Sequence, residues 1–173
     1  DRPKALVELE GQTLLERCIR RLIEQGVEEF VVNIHHFGRQ IIDFLESRDR
    51  FGVTIHISDE RDQLLDTGGG LKRAVTWLRD APFVVHNVDI LTNLDLNTMY
   101  QFHLEHKALS TLAVRDRNTS RYLLFDPEKR LCGWHHATRD IYRFCRSTET
   151  YSSQAFSGIH IISPQIFELM PEA

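Results

Sequence analysis

No apolar run in the 173 residues approaches the ~18 of a membrane-spanning helix, and the N-terminus shows no signal-peptide pattern. Basic residues are outnumbered. The chain has 21 Lys and Arg against 25 Asp and Glu, a formal charge of −4, which argues against a general nucleic-acid binder working through a cationic surplus. Cysteine is scarce and odd in number: Cys18, Cys132 and Cys145 stand far apart, so neither a disulfide framework nor a zinc site is indicated. Together these absences point to a reduced, cytoplasmic setting. The dinucleotide fingerprint G-x-G-x-x-G and the phosphate loop G-x-x-x-x-G-K-[ST] are missing too.

What is present is the composition of an ordinary globular domain, 42% hydrophobic and 27% charged, long enough to bury a sizeable core. Strand and helix patterns alternate along it. Leu14, Leu15, Cys18, Ile19, Leu22 and Ile23 mark one face of a helix over about 14–25, with Thr13 and Glu16 as a capping box and Gly26 past its end. Strand-like runs follow at 28–34 and 53–58 around a helix at about 39–47, then a helix after Gly70 with Leu71, Ala74, Val75 and Leu78 on one face. A short apolar run at 82–89 has the character of a parallel strand buried on both faces. Asp95 can cap a helix to about His106, and a strand covers 109–114. Beyond Arg115 the pattern turns antiparallel: "RYLLFD", the turn "DPEKR", "LCGWHH" and "DIYRFC". A buried strand at 154–163 returns, and Ser163-Pro164 is placed to start a terminal helix. The expectation is a single α/β domain over 1–173, Rossmann-like and three-layered, with a mostly parallel sheet and a small antiparallel insertion.

Two strand ends draw the chemistry. "DTGGGLKRA" places Gly68, Gly69 and Gly70 between a strand and a helix, where bare backbone can face a base, a ribose or a phosphate. Ligands of open α/β sheets bind beyond the carboxyl ends of the strands, so a slack linker is the weaker reading there. Asp89 ends the run "PFVVHNVD"; a carboxylate in such a place needs a partner, and a hard cation such as Mg²⁺ uses one or two of them. Its plainer reading is a cap on the following turn.

The stretches "DRPKALVELEGQTLLERCIRRLIEQGVEEFVVNIHH", "LLDTGGGLKRA" and "PFVVHNVDILTNLDL", in that order and spacing, resemble the sugar-1-phosphate nucleotidyltransferase family, the nucleotide-sugar pyrophosphorylases. The resemblance extends to about Met170. It implies a nucleotidyltransferase (GT-A-like) fold and the reaction NTP + sugar 1-phosphate → NDP-sugar + pyrophosphate. It implies phosphate contact by Lys4, nucleotide binding by Asp66, Thr67, Gly68, Gly69, Gly70 and Asn87, and Mg²⁺ ligation by Asp89. GTP or UTP and a mannose, heptose or N-acetylmuramic acid 1-phosphate are the implied substrates, with no nucleic acid or membrane partner and room for a homo-oligomer. In the family a strand and a G-x-G-T/S-R-x-x-P loop would lie immediately before Asp1, and a second metal aspartate beyond the last residue; Val88 stands where a small Gly or Ala is usual. Two alternatives remain: a non-catalytic nucleotide-binding or regulatory subunit of the same fold, and a phosphocholine cytidylyltransferase-like enzyme. A related glycosyltransferase would show D-x-D where this chain has "NVDIL".

Nine histidines do not add up to a metal site. His35-His36 and His135-His136 are neighbours that point to opposite faces of a strand, and His103 with His106 lacks a third ligand. Trp134 reads as packing and Ser157-Gly158 as lying near the expected sugar pocket.

Overall fold

The computed structural model describes residues 2–61, 65 and 67–170. A 3-10 turn at Lys4–Leu6 leads into a short antiparallel pair, β1 (Glu8–Leu9) with β2 (Gln12–Thr13). Helix α1 (Leu14–Glu24) starts where Thr13 Oγ1 accepts the Glu16 N–H at 3.1 Å. The expected capping box is only half used, because the Glu16 carboxylate takes Arg20 at 2.9 Å and Arg48 at 3.6 Å. Gly26, at φ +89°, ends the helix in the left-handed region that favours glycine.

Strand β3 (Glu29–Ile34), helix α2 (Gly38–Ser47) and strand β4 (Thr54–Asp59) make a crossover unit, β3 and β4 pairing parallel with Phe30 opposite Ile55 and Asn33 opposite Ser58. Helix α3 (Thr67–Arg73) and the single turn α4 (Val75–Leu78) divide the helix expected after Gly70 into two at Ala74. Strand β5 (Phe83–His86) and helix α5 (Leu96–Glu105) follow, the latter capped by Asp95, whose Oδ1 accepts Asn97 N–H at 2.9 Å and Thr98 N–H at 3.2 Å. Then come β6 (Ser110–Arg115), β7 (Arg121–Phe125), β8 (Leu131–His136), β9 (Ile141–Phe144), β10 (Ser152–Ile162) and α6 (Ile166–Leu169).

The chain divides into two compact units, Asp1–Thr111 with Ile161–Ala173, and Leu112–His160. In the first, Leu15, Ile19 and Leu22 of α1, Phe30 and Ile34 of β3, Ile41 and Leu45 of α2 and Ile55 of β4 are buried. In the second, β7, β8 and β9 form the expected antiparallel meander, and β10 pairs antiparallel with β7 through Ser152–Gln154. The "DPEKR" turn closes on Asp126, whose N–H donates to Arg130 O at 3.0 Å and whose side-chain Oδ1 accepts the Arg130 N–H at 2.8 Å.

Two expectations change. The sheet is not mostly parallel: antiparallel pairing dominates the registered strands, and β3 with β4 is the parallel pair. An apolar run reports burial on both faces, and it does not report strand direction. The terminal helix starts at Ile166, later than Ser163-Pro164 suggested, because the Ser163 hydroxyl is used elsewhere. It donates to Ala108 O at 2.8 Å, so His103 Nε2–H must donate to it, at 2.9 Å. The opposite ring nitrogen then accepts from Thr111 Oγ1, also at 2.9 Å.

His103 is 1% exposed, and burial lowers its pKa, favouring the neutral ring that this bonding requires. A folded-state value below the unfolded one gives stability that is present above the unfolded pKa and lost as pH falls through the folded one. The drop in Tm between about pH 7.5 and about pH 5.5 is therefore expected to be smaller in His103→Gln than in the parent protein. An equal drop in thermal melts at both pH values would show that this ring does not titrate with unfolding. No helix among the described residues is long and apolar enough to cross a membrane.

Candidate functional site

Strand β5 stops at His86, three residues short of Asp89. The run read as a strand to Asp89 gives way to a turn in which Ile90 N–H donates to Asn87 O at 3.1 Å. Asn and Asp favour such turns over a ladder. Asn87 is exposed, Val88 is half-buried, and the turn presents the Asp89 carboxylate to Lys4, 85 residues away in sequence. Lys4 reaches it from the opening 3-10 turn, which is anchored by buried Pro3 and Leu6.

The Lys4–Asp89 ion pair is open to solvent, its side chains 70% and 32% exposed. Such pairs are worth about 0–1 kcal/mol to a fold, so stability does not account for it. The Lys4 ammonium is the main cause that holds the Asp89 carboxyl below the usual carboxylate range, against a smaller opposing effect of burial. The carboxylate is ionised throughout the neutral range, and its contribution to stability is lost only as pH falls below the unfolded value near ~3.9.

His86 Nδ1–H donates to Asn87 O at 2.9 Å, with Cys18 Sγ 3.5 Å from the same nitrogen. Burial pushes the Cys18 thiol up to about 11 and the His86 ring down, so this pair stays neutral and is no activated nucleophile. A cavity of about 360 Å³ lies alongside, lined by Arg17, Cys18, Arg21, His86, Ile90 and Thr92 among others.

The glycine triplet lies inside the first turn of α3, where a loop was expected. None of the three has a positive φ, and at Gly69 and Gly70 space is what requires glycine. A Cβ on Gly70 would meet Glu60 Oε1 at 2.6 Å and Asn33 Nδ2 at 2.9 Å, and one on Gly69 would meet Leu65 Cβ at 2.8 Å. At Gly68 nothing lies within 4 Å. Thr67 and Gly68 are exposed, and Gly70 is buried. Asp66 lies outside the described residues.

The structure therefore joins Lys4 to Asp89 and gathers Gly69 and Gly70 around Leu65, Glu60 and Asn33. Glu60 and Asn33 were not singled out from the sequence. Asn33 left a signal, a lone amide in the apolar run "FVVNI"; Glu60 was hidden in the polar stretch "DERDQ".

Among the described residues no group of three or more His, Cys, Asp and Glu side chains could hold a metal ion. The donor set at this site is one ionised, partly exposed carboxylate. That suits a Mg²⁺ ion that takes its remaining ligands from water and phosphates, and does not suit an all-protein cage.

The chain is similar to known nucleotidyltransferases. Over 91 residues the chain is 45% identical to an N-acetylmuramate alpha-1-phosphate uridylyltransferase of Caulobacter vibrioides, covering 51% of this chain and 38% of that protein. Over 172 residues it is 27% identical to a probable mannose-1-phosphate guanylyltransferase of Oryza sativa, covering 96% of this chain and 45% of the relative. The chain thus spans less than half the length of these curated relatives. A crystal structure of HddC from Yersinia pseudotuberculosis complexed with GMP-PN has the same fold, with a TM-score of 0.79 at 21% identity over 99% of this chain and 72% of that one. The family model of the MobA-like NTP transferase domain matches residues 1–150, the greater part of the sequence, and the chain belongs to that family.

Proposed function

We propose that the protein transfers a nucleotidyl group from GTP or UTP to a sugar 1-phosphate, with Lys4 and Asp89 as catalytic residues and the exposed start of α3 as the base site. The observation that carries this reading is the solvent-open Lys4–Asp89 pair, a preset ammonium and carboxylate that the fold does not need for stability. An oxygen of the sugar phosphate attacks the α-phosphorus, the bond to the bridging oxygen breaks, and pyrophosphate leaves. No covalent protein nucleophile is required, because positioning and charge neutralisation supply most of the acceleration.

Lys4 donates to the anionic phosphate oxygens, and Asp89 orients that ammonium. Asp89 would also hold Mg²⁺, which neutralises charge on the triphosphate when bound. Gly68, with its face clear, lets a base approach the backbone, and Thr67 and Asn87 are exposed to contact the nucleotide. Asp66 belongs to the same proposed group. The names of the curated relatives favour uridylyl or guanylyl transfer to N-acetylmuramate or mannose 1-phosphate. A cytoplasmic enzyme, with room for a homo-oligomer, completes the proposal.

The test is a thermal-shift screen of the full-length protein against ATP, GTP, UTP, CTP and dTTP with Mg²⁺, followed by pyrophosphate release on a panel of sugar 1-phosphates. GTP or UTP is expected to raise the midpoint, since a ligand bound only by the folded state must do so. Turnover should follow with one sugar. Binding without turnover on any sugar would favour the regulatory-subunit reading, and no shift with any nucleotide would overturn the proposal.

A further inference from the structure

Glu60 stands one residue past β4, its backbone pinned by a 2.8 Å bond from its N–H to Ile34 O. Its side chain is 1% exposed. One carboxylate oxygen, Oε2, accepts the Leu65 N–H at 3.2 Å. The other, Oε1, is buried with no hydrogen-bond partner among the described residues. Half-satisfied buried carboxylates are costly and uncommon, so this one calls for a reason.

The reason lies in what the side chain touches. Oε1 occupies the space that a side chain at position 70 would fill, together with Asn33 Nδ2, and Leu65 occupies that of position 69. Glu60 therefore holds Leu65 and packs against the first turn of α3 at Gly70. Asn33 of β3 faces the same glycine and pairs in register with Ser58 of β4. Two of the three glycines are thus consumed by packing. Gly68, whose face is clear, is the one left for a ligand.

We propose that Glu60 is a positioning residue for the nucleotide site: its buried carboxylate fixes Leu65 and the first turn of α3, and so sets where Gly68 presents its backbone. This rests on the reading that the nucleotide docks at the start of α3. Glu60 itself touches no substrate, being closed off from solvent. Its loss should weaken nucleotide binding equally in the ground state and the transition state, which raises KM and leaves kcat alone.

The experiment uses the full-length protein and its Glu60→Ala, Glu60→Gln and Gly70→Ala variants. Two quantities are read: hydrogen exchange of the 65–74 segment, and KM and kcat with GTP or UTP. Glu60→Ala is expected to speed exchange in that segment at least about tenfold relative to the rest of the chain, and to raise the nucleotide KM about tenfold with kcat within about twofold. Glu60→Gln keeps the shape and one acceptor for Leu65 N–H, so it should fall between the two. Gly70→Ala should act like Glu60→Ala, and the double variant Glu60→Ala/Gly70→Ala should lose less than the sum, because the 2.6 Å conflict is gone.

Unchanged exchange at 65–74 in Glu60→Ala overturns the proposal, as does a loss of kcat with KM unaltered. If Glu60→Ala does not fold, Glu60→Gln and Gly70→Ala decide by the same two readouts. Should the parent protein bind no nucleotide, the functional reading fails, and the exchange data alone still decide whether Glu60 braces the segment.

Discussion

Asp89→Asn in the full-length protein is expected to lower kcat by about 10²–10³-fold, the usual cost of removing a group that stabilises charge developing in the transition state. Asparagine keeps the shape and can still accept one hydrogen bond from Lys4, so the turn at 87–90 should survive. What goes is the negative charge. The Lys4 ammonium loses the partner that orients it, and a divalent cation loses its protein carboxylate. The Mg²⁺ concentration for half-maximal rate should therefore rise in the variant. Thermal stability should move little, since an exposed ion pair contributes about 0–1 kcal/mol. Lys4→Met should cost at least about tenfold in kcat/KM. The double variant should be little worse than Asp89→Asn alone, because the two act as one unit. Steady-state release of pyrophosphate with GTP or UTP and a sugar 1-phosphate measures all of this. A kcat kept within about threefold, with an unaltered Mg²⁺ response, would remove Asp89 from the catalytic site.

The order of elements could be read from the sequence because each local signal acted over a few residues. Thr13 capped α1, Gly26 ended it, Asp95 capped α5 and "DPEKR" turned the hairpin, all within one or two residues of where they were expected. Those signals depend on backbone chemistry that tertiary contacts did not override. Strand direction could not be read in the same way, because it is fixed by which distant segment supplies the neighbouring ladder. The end of β5 was missed for a related reason. Apolar Val88 continued the pattern, while the flanking Asn87 and Asp89 had already taken the chain into a turn.

The candidate site was legible in part. Sequence pointed to the glycines and to Asp89, and family resemblance to Lys4, but nothing local in the sequence tied Lys4 to Asp89 across 85 residues. The reason for the glycines was also only half visible. Three bare residues suggested close approach of a ligand; at two of them the missing side chain also makes room for Glu60, Asn33 and Leu65. A glycine shows that something comes near, and only the fold says whether it is ligand or protein. Ser163 teaches the same point in reverse. Its sequence context is that of a helix cap, yet His103 and Ala108 claim its hydroxyl first.

Leu124→Ala is expected to give the largest loss of stability, about 2–5 kcal/mol, in the range for truncating a fully buried leucine. For a chain of this size that corresponds to a fall in Tm of roughly 5–15 °C. Leu124 has no exposed surface, and Cys132, equally buried on the neighbouring strand β8, is small. Across the β7–β8 ladder it faces Gly133, which has no side chain to turn into the space. The strands cannot close up freely either, since Cys132 Sγ–H already donates to Leu124 O at 3.2 Å and Cys145 N–H to Cys132 O at 2.9 Å. The cavity should persist, placing the cost in the upper part of that range. Filling it from Gly133 is also barred. A Cβ there would meet Leu124 Cδ1 at 3.3 Å, a contact that the truncation relieves, but also the Arg143 backbone oxygen at 2.7 Å, which it does not. Leu124→Ala/Gly133→Ala should therefore be less stable than Leu124→Ala. Urea unfolding of the parent, the two single variants and the double variant tests both statements. A cost below about 1 kcal/mol for Leu124→Ala, or a rescue by the second substitution, would show that β8 and β9 yield where the packing says they are held.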